Sequence, residues 1–290
     1  MRAFAYERPT SLADALALLA TGGDGALGSD ARPLAGGTDL IIRIRDGSIR
    51  PASVVDVKGI AEFSRDIRVE DGWLRIGART TMTDLVRDDR VQRDYAALAE
   101  AASYVGSVQI RNRATLAGNI CNASPAADTV PALLVYGAQV VTVGQGGRRT
   151  IPLDDVFVRS GVTTLLPGEL LEAVELPLPG GPRGSVHARR TRRRGHDLAS
   201  VTLACSIGLD GVTRIAYGSV GPRPLLVVDE TGVLSDRATS PAAKAARLDE
   251  LFVVAAPSPT SMRASPEYRL AMLRVLGLRA VAASHERLRA

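Results

Sequence analysis

Two short runs of this sequence combine residue types that could hold a phosphorylated ligand. The first is Ala35-Gly36-Gly37-Thr38-Asp39-Leu40. Two adjacent glycines remove the Cβ atoms that would keep a ligand off the main chain, and successive backbone N–H groups at a turn entering a helix form a cradle for an anion. A diphosphate suits such a cradle. Thr38 adds a hydroxyl donor, whereas anionic Asp39 is expected to accept from nearby backbone N–H groups rather than to touch phosphate. Taken alone, the run reads more readily as a structural Gly-Gly turn. The second run is Thr115-Leu116-Ala117-Gly118-Asn119-Ile120-Cys121-Asn122-Ala123-Ser124-Pro125-Ala126-Ala127-Asp128. For Ser124 and Asp128, helix N-capping is the competing role.

Other chemistries find little support. Gly23-Asp24-Gly25-Ala26-Leu27-Gly28 spells the dinucleotide fingerprint G-x-G-x-x-G. That motif needs a strand before it and a helix after it, but here a helix precedes and Asp30-Ala31-Arg32-Pro33 follows, so the run reads as a loop. Cys121 and Cys205 are too few for a disulfide framework, an iron–sulfur cluster or a structural zinc site. His187, His196 and His285 are too scattered for a multi-histidine metal centre.

The elements that must position these runs follow from periodicity. An extended segment at 4–6 precedes a helix from Leu12 to Leu19, opened by Ser11 with Asp14 three residues on, in the manner of a capping box. A short strand at 33–35 enters the first glycine run, a helix carries Leu40, Ile41 and Ile44, and a strand follows at 54–57. This makes a compact α/β lobe over 1–57. A second lobe, 58–178, is expected to hold a strand at 73–78, helices at 82–86 and 95–104, a loop-rich run from Gln109 to Asp128, a helix at 131–136, and strands at 139–143 and 171–176. Leu178-Pro179-Gly180-Gly181-Pro182 interrupts every pattern and marks a domain boundary. Beyond it, over 183–290, alternating stretches at 186–191, 201–209 and 214–220 predict a three-stranded antiparallel sheet followed by two helices. Ser265, Pro266 and Glu267 signal the start of the last helix.

With 290 residues the chain is long enough for two domains with their own cores, and no stretch approaches the ~20 apolar residues that span a bilayer. The N-terminus lacks the charged and apolar regions of an export signal, so a cytoplasmic home is expected. A net charge of +5 could suggest a polyanionic partner. The basic excess, however, clusters at Arg189, Arg190, Arg192, Arg193 and Arg194, with no interleaved aromatics to stack on bases, which argues against nucleic acid.

Taken together, the two runs resemble the FAD-binding medium subunit or domain of the xanthine dehydrogenase and carbon monoxide dehydrogenase family, the molybdenum hydroxylases. Its paired signatures are A-G-G-T/H-x-L and T-x-G-G-N-I followed by S-P-x-x-D. The resemblance extends to Gln109-Ile110-Arg111-Asn112, Gly168-Glu169-Leu170-Leu171 and Met262-Arg263-Ala264-Ser265, and so covers nearly the whole chain. It implies an α+β protein: a two-lobed FAD-binding domain of the PCMH type, then a C-terminal domain of a three-stranded antiparallel sheet plus helices. By the resemblance, Leu34, Ala35, Gly36, Gly37, Thr38, Asp39 and Leu40 would cradle the FAD diphosphate from one side and Thr115, Ala117, Gly118 and Asn119 from the other. Asn122 and Ser124 belong to the same site, and Asp128 would reach the adenosine half through a charge-assisted hydrogen bond. Val105 and Leu171 fall where the family places apolar residues against the cofactor, although each also fits an ordinary core.

Two positions depart from the family pattern. Ala117 replaces the first glycine of G-G-N, which requires a negative φ there. Arg189 stands where many members have a lysine near the flavin, offering a planar fork instead of a compact ammonium. Arg193 matches a family arginine, and His196 could face the flavin edge or solvent. In the family, substrate is oxidised at a molybdenum–pterin centre on a large subunit. Electrons then pass through two [2Fe-2S] clusters on a small subunit to FAD and on to NAD or another acceptor. The resemblance therefore implies non-covalent FAD here, metal centres on partner chains only, and no catalytic acid, base or nucleophile on this chain. Two other readings stand beside it: a free-standing FAD-dependent oxidase or reductase on the same fold, and a cofactor-free basic binding module. The former would need its own substrate residues, and the latter would leave both glycine runs unexplained.

Overall fold

The structure, a computed structural model, describes residues 3–20, 31–193, 195 and 197–288. The G-x-G-x-x-G run at 23–28 and His196 lie outside the described residues. The first lobe contains β1 (Ala5–Glu7), α1 (Leu12–Ala20), β2 (Ala31–Leu34), α2 (Leu40–Arg45) and β3 (Ser53–Asp56). Its three strands run parallel in the order β1-β3-β2. At the start of α1, Ser11 Oγ accepts from the Asp14 N–H at 3.1 Å and donates to its carboxylate at 2.7 Å. The Leu12 N–H is taken by Glu62, 3.1 Å away. Both bonds satisfy first-turn donors that an isolated helix would leave free.

The second lobe comprises β4 (Ile67–Glu70), β5 (Trp73–Gly77), α3 (Met82–Arg87), α4 (Asp89–Asp94), α5 (Ala96–Ser103), α6 (Val108–Arg111), α7 (Leu116–Cys121), α8 (Thr129–Val135), β6 (Gln139–Gly144), β7 (Gly147–Pro152), β8 (Phe157–Arg159), β9 (Val162–Thr163) and β10 (Leu170–Pro177). Five of its strands form an antiparallel sheet ordered β4-β5-β10-β6-β7. The stretch expected as loop between Gln109 and Asp128 instead holds α6 and α7. Each is too short to show a periodicity, and each is started by a hydroxyl cap: Ser107 Oγ accepts from Ile110 N–H and Thr115 Oγ1 from Gly118 N–H.

The C-terminal part contains β11 (Arg183–Arg190), β12 (Val201–Gly208), β13 (Thr213–Gly218), β14 (Leu225–Asp229), α9 (Pro241–Leu251) and α10 (Pro266–Arg287). Its antiparallel sheet has four strands, not three. The added strand β14 is an edge strand with half-buried side chains, so its apolar run lacks the alternation that marks its neighbours. Strand β12 is buried along almost its whole length, because both faces of the sheet are covered. Val201, Leu203, Cys205 and Ile207 pack with Leu248, Leu273 and Ala280 beneath α9 and α10. On the other face Ala204 and Ala216 join the core of the two preceding lobes. Ser265 caps α10 as its sequence indicates, accepting from Tyr268 N–H at 3.3 Å. No helix among the described residues is long and apolar enough to cross a membrane.

Candidate cofactor site

The two glycine runs, far apart in sequence, meet at the junction of the lobes. A Cβ built on Gly36 would lie 2.2 Å from the carbonyl oxygen of Arg113, two residues before the second run, and one built on Gly118 would lie 3.8 Å from Ala35 Cβ. Close approach of the two main chains therefore requires glycine at position 36. Gly37 has φ +77°, a left-handed conformation that turns the chain out of β2 and into α2. The N–H groups of Gly37, Thr38, Asp39 and, across the junction, Ala117 have no hydrogen-bond acceptor among the described residues. A concentration of free main-chain donors from two converging segments is what a diphosphate needs.

Individual side chains refine the sequence expectations. Asp39 does not accept from the backbone: it precedes α2 with helical angles (φ −105°, ψ −46°) and makes no capping bond, since its side chain cannot fold back over the first turn. Ala117 lies inside α7 and is absent from the positive-φ residues, which meets the condition its departure from glycine imposed. Asn119 Oδ1 accepts from Thr129 Oγ1 at 2.6 Å, an arrangement that leaves its amide NH2 for other partners. Asn122 ends α7, and Ala123 beyond it takes φ +48°. Ser124 Oγ accepts from Ala126 N–H at 3.3 Å, closing a local turn rather than capping α8. Leu171 is buried in β10 as part of the main core, and Val105 packs against that core half-buried. Thr38 and Leu40 flank the turn, both half-buried, and Leu34 is packed with Ile44 and Val54.

Asp128 and Arg189 come together. Arg189 Nη1 donates to Asp128 Oδ2 at 2.8 Å and to the Tyr104 carbonyl at 3.3 Å, and its Cζ lies 5.4 Å from the Tyr104 ring centroid. Nη2 donates to the Asp197 carbonyl. Asp128 Oδ1 accepts from Thr202 Oγ1 at 3.1 Å, so both oxygens of its carboxylate are engaged. Exposed Arg192 and Arg193 form longer pairs, each at 3.5 Å, with the buried side chain of Asp197.

Residues without a sequence signal complete the surroundings. Lys58 Nζ donates to the Ala35 carbonyl at 3.2 Å and pairs with Asp56 at 2.6 Å; Tyr6 donates to the same carboxylate at 2.5 Å. Burial pushes the Asp56 carboxyl up, but the bonds from Lys58 and Tyr6 outweigh it and hold the group below its ordinary value. Nothing in the spacing of Tyr6, Asp56 and Lys58 announces this arrangement. Thr202 had a fainter signal, as a polar residue in the largely apolar strand β12, whereas His187 sits in the mixed strand β11. A separate concavity of about 300 Å³, lined by Phe4, Ile44, Arg45 and Arg50, lies at the far end of α2 and includes none of the glycine-run residues. Among the described residues no His, Cys, Asp or Glu cluster could hold a metal ion.

Comparison with known proteins gives a consistent picture. Residues 2–179 match the family described as the FAD binding domain in molybdopterin dehydrogenase, and residues 187–284 match the CO dehydrogenase flavoprotein C-terminal domain. The chain is 33% identical over 276 residues to the xanthine dehydrogenase FAD-binding subunit of Escherichia coli O157:H7, covering 93% of this chain and 92% of that one. It is 32% identical to the carbon monoxide dehydrogenase medium chain of Hydrogenophaga pseudoflava, with 98% of each covered. A solved structure of carbon monoxide dehydrogenase from Hydrogenophaga pseudoflava, lacking the Mo-pyranopterin moiety, superposes with a TM-score of 0.89 at 30% identity over 99% of both chains.

Proposed function

Because this chain belongs to the family of FAD-binding medium subunits of the xanthine dehydrogenase and carbon monoxide dehydrogenase type, we propose that it relays electrons from a partner's iron–sulfur clusters through FAD to NAD or another acceptor. The observation that carries the reading is the convergence of the two glycine runs, with main-chain N–H groups from both left for an anionic ligand. FAD supplies the redox chemistry when bound, and the protein supplies position and electrostatic tuning.

The turn from Leu34 to Leu40 would hold one side of the diphosphate through its N–H groups and Thr38, and Thr115 to Asn119 would hold the other. Asn122 and Ser124 continue that wall, and Val105 and Leu171 provide its apolar backing. Arg189 would be a fixed cation near the flavin; Asp128, which the resemblance carries to the adenosine half, also holds that cation. A large molybdenum–pterin subunit and a small [2Fe-2S] subunit supply the reductant.

Titration of the purified chain with FAD should give flavin absorption bands, with the flavin released into solution on acid denaturation. Anaerobic bleaching of those bands by a purine or aldehyde substrate should require both partner chains. Reduction of the metal-free chain alone by such a substrate at a catalytic rate would make it an independent oxidoreductase and overturn the proposal.

A further inference from the structure

Strand β11 places His187 and Arg189 two residues apart on one face, and Thr202 of β12 lies directly opposite Arg189 in the register. All three point toward α8 and the end of α5. The hydroxyl of Thr202 has one proton, which it donates to Asp128 Oδ1. Its 3.0 Å contact with His187 Nε2 is then satisfied only if Nε2 carries a proton and donates it. His187 Nδ1, buried and without a partner, is left as a bare acceptor. The donors run from His187 to Thr202 to Asp128, His187 Nε2 also lying 3.4 Å from Asp128 Oδ1, and end on the carboxylate that holds Arg189.

We propose that His187 and Thr202 are positioning residues by which the C-terminal sheet fixes the Asp128–Arg189 pair, and with it the cofactor affinity and flavin potential of the site; this rests on the FAD reading above. A carboxylate held by one partner can rotate, whereas one held on both oxygens presents the guanidinium in a single orientation. Three of the five guanidinium donors are committed to Tyr104, Asp128 and Asp197, leaving two for a ligand. The same sheet anchors the segment before Asp128. Ser219 N–H donates to the Pro125 carbonyl at 2.7 Å, and a Cβ at Gly218 would lie 2.6 Å from that oxygen. The loop of the second run is thus shaped from outside its own domain.

The test uses the full-length chain and reads the FAD dissociation constant and the flavin midpoint potential. Thr202→Val keeps the volume and removes the hydroxyl. His187→Leu removes the donor, while His187→Gln keeps an N–H near the Nε2 position. Thr202→Val and His187→Leu should each weaken FAD binding about tenfold, the scale of a charge-assisted bond, and lower the potential as the nearby cation loosens. His187→Gln should remain near wild type. Because both groups act on one carboxylate, the double variant should lose less than the sum of the two single losses. Additive losses, unchanged affinity and potential in both single variants, or a His187→Gln protein as impaired as His187→Leu would overturn the relay. If Thr202→Val fails to fold, the two His187 variants decide alone. A wild-type chain that binds no FAD would instead defeat the underlying functional reading.

Discussion

At the scale of single residues, the two glycines of the first run carry different loads. Gly36 faces protein: its missing Cβ makes room for the main chain at Arg113, which cannot yield as a flexible side chain could. Gly36→Ala should therefore lower thermal stability as well as abolish FAD binding, by about 1–3 kcal/mol as for other overpacked sites. Gly37 is constrained by its backbone, because φ +77° disfavours any Cβ, and the nearest obstacle is only the Leu34 Cδ1 methyl at 3.0 Å. Gly37→Ala should cost about 1–2 kcal/mol in melting experiments and weaken FAD without eliminating it. Equal effects of the two substitutions on FAD titration would mean that the junction is looser than the contact at Arg113 implies.

At the scale of elements, helix caps separate structural from functional contributions. Thr115 caps α7, a six-residue helix anchored by buried Leu116, Ala117 and Ile120, and is itself buried. Ser265 caps the 22-residue α10, remote in sequence from either glycine run. Replacing either with alanine removes one capping bond, worth about 1 kcal/mol. Only Thr115→Ala should also weaken FAD, since it releases the turn that carries Ala117 and Gly118. Isothermal titration of both variants checks this, and a matching loss of affinity in Ser265→Ala would contradict it.

Across the whole molecule, the C-terminal sheet is a wall of the first domain as much as a domain of its own. Ala204 and Ala216 complete the larger core, and small side chains on this face let α5 and α8 lie close to the sheet. Polar contacts seal the seam: Tyr136 meets Ser185 at 2.6 Å and also accepts from Ala97 N–H, while Glu100 accepts from His187 N–H at 2.9 Å and pairs with Arg287. A fragment of residues 1–178 should accordingly fail to melt cooperatively, as measured by calorimetry against the full chain. A sharp native transition in the fragment would show that the shared core is dispensable.

Acid should loosen the far side of the same sheet. Burial pushes Asp229 up, but bonds from Thr231, Leu234 N–H and Arg247 prevail and hold it below its ordinary value. Burial also lowers His285, whose Nε2 meets the Leu234 carbonyl at 2.9 Å. Both folded values are depressed, so each contribution to stability is complete above the unfolded value, 6.5 for the histidine and 3.8 for the aspartate, and is lost as pH falls through the folded value. The melting temperature should fall in two stages on acidification. His285→Gln should remove the upper stage, and persistence of that stage in the variant would assign it elsewhere.

The sequence by itself determined the α+β order of elements, the caps at Ser11 and Ser265, and the two glycine runs, because each of these depends on residues near one another in the chain. It also placed the interruption at 178–182, between β10 and β11. The fourth strand β14 and the short helices α6 and α7 escaped it, being an edge without alternation and elements without a full period. Only the tertiary structure decided that Gly36 packs on Arg113, that Lys58 holds Ala35, and that Asp128 answers to Arg189 of β11 and Thr202 of β12. Those partners are separated by 23 to 77 residues, and a carboxylate's choice among distant donors is fixed by which strand register brings them within hydrogen-bond distance.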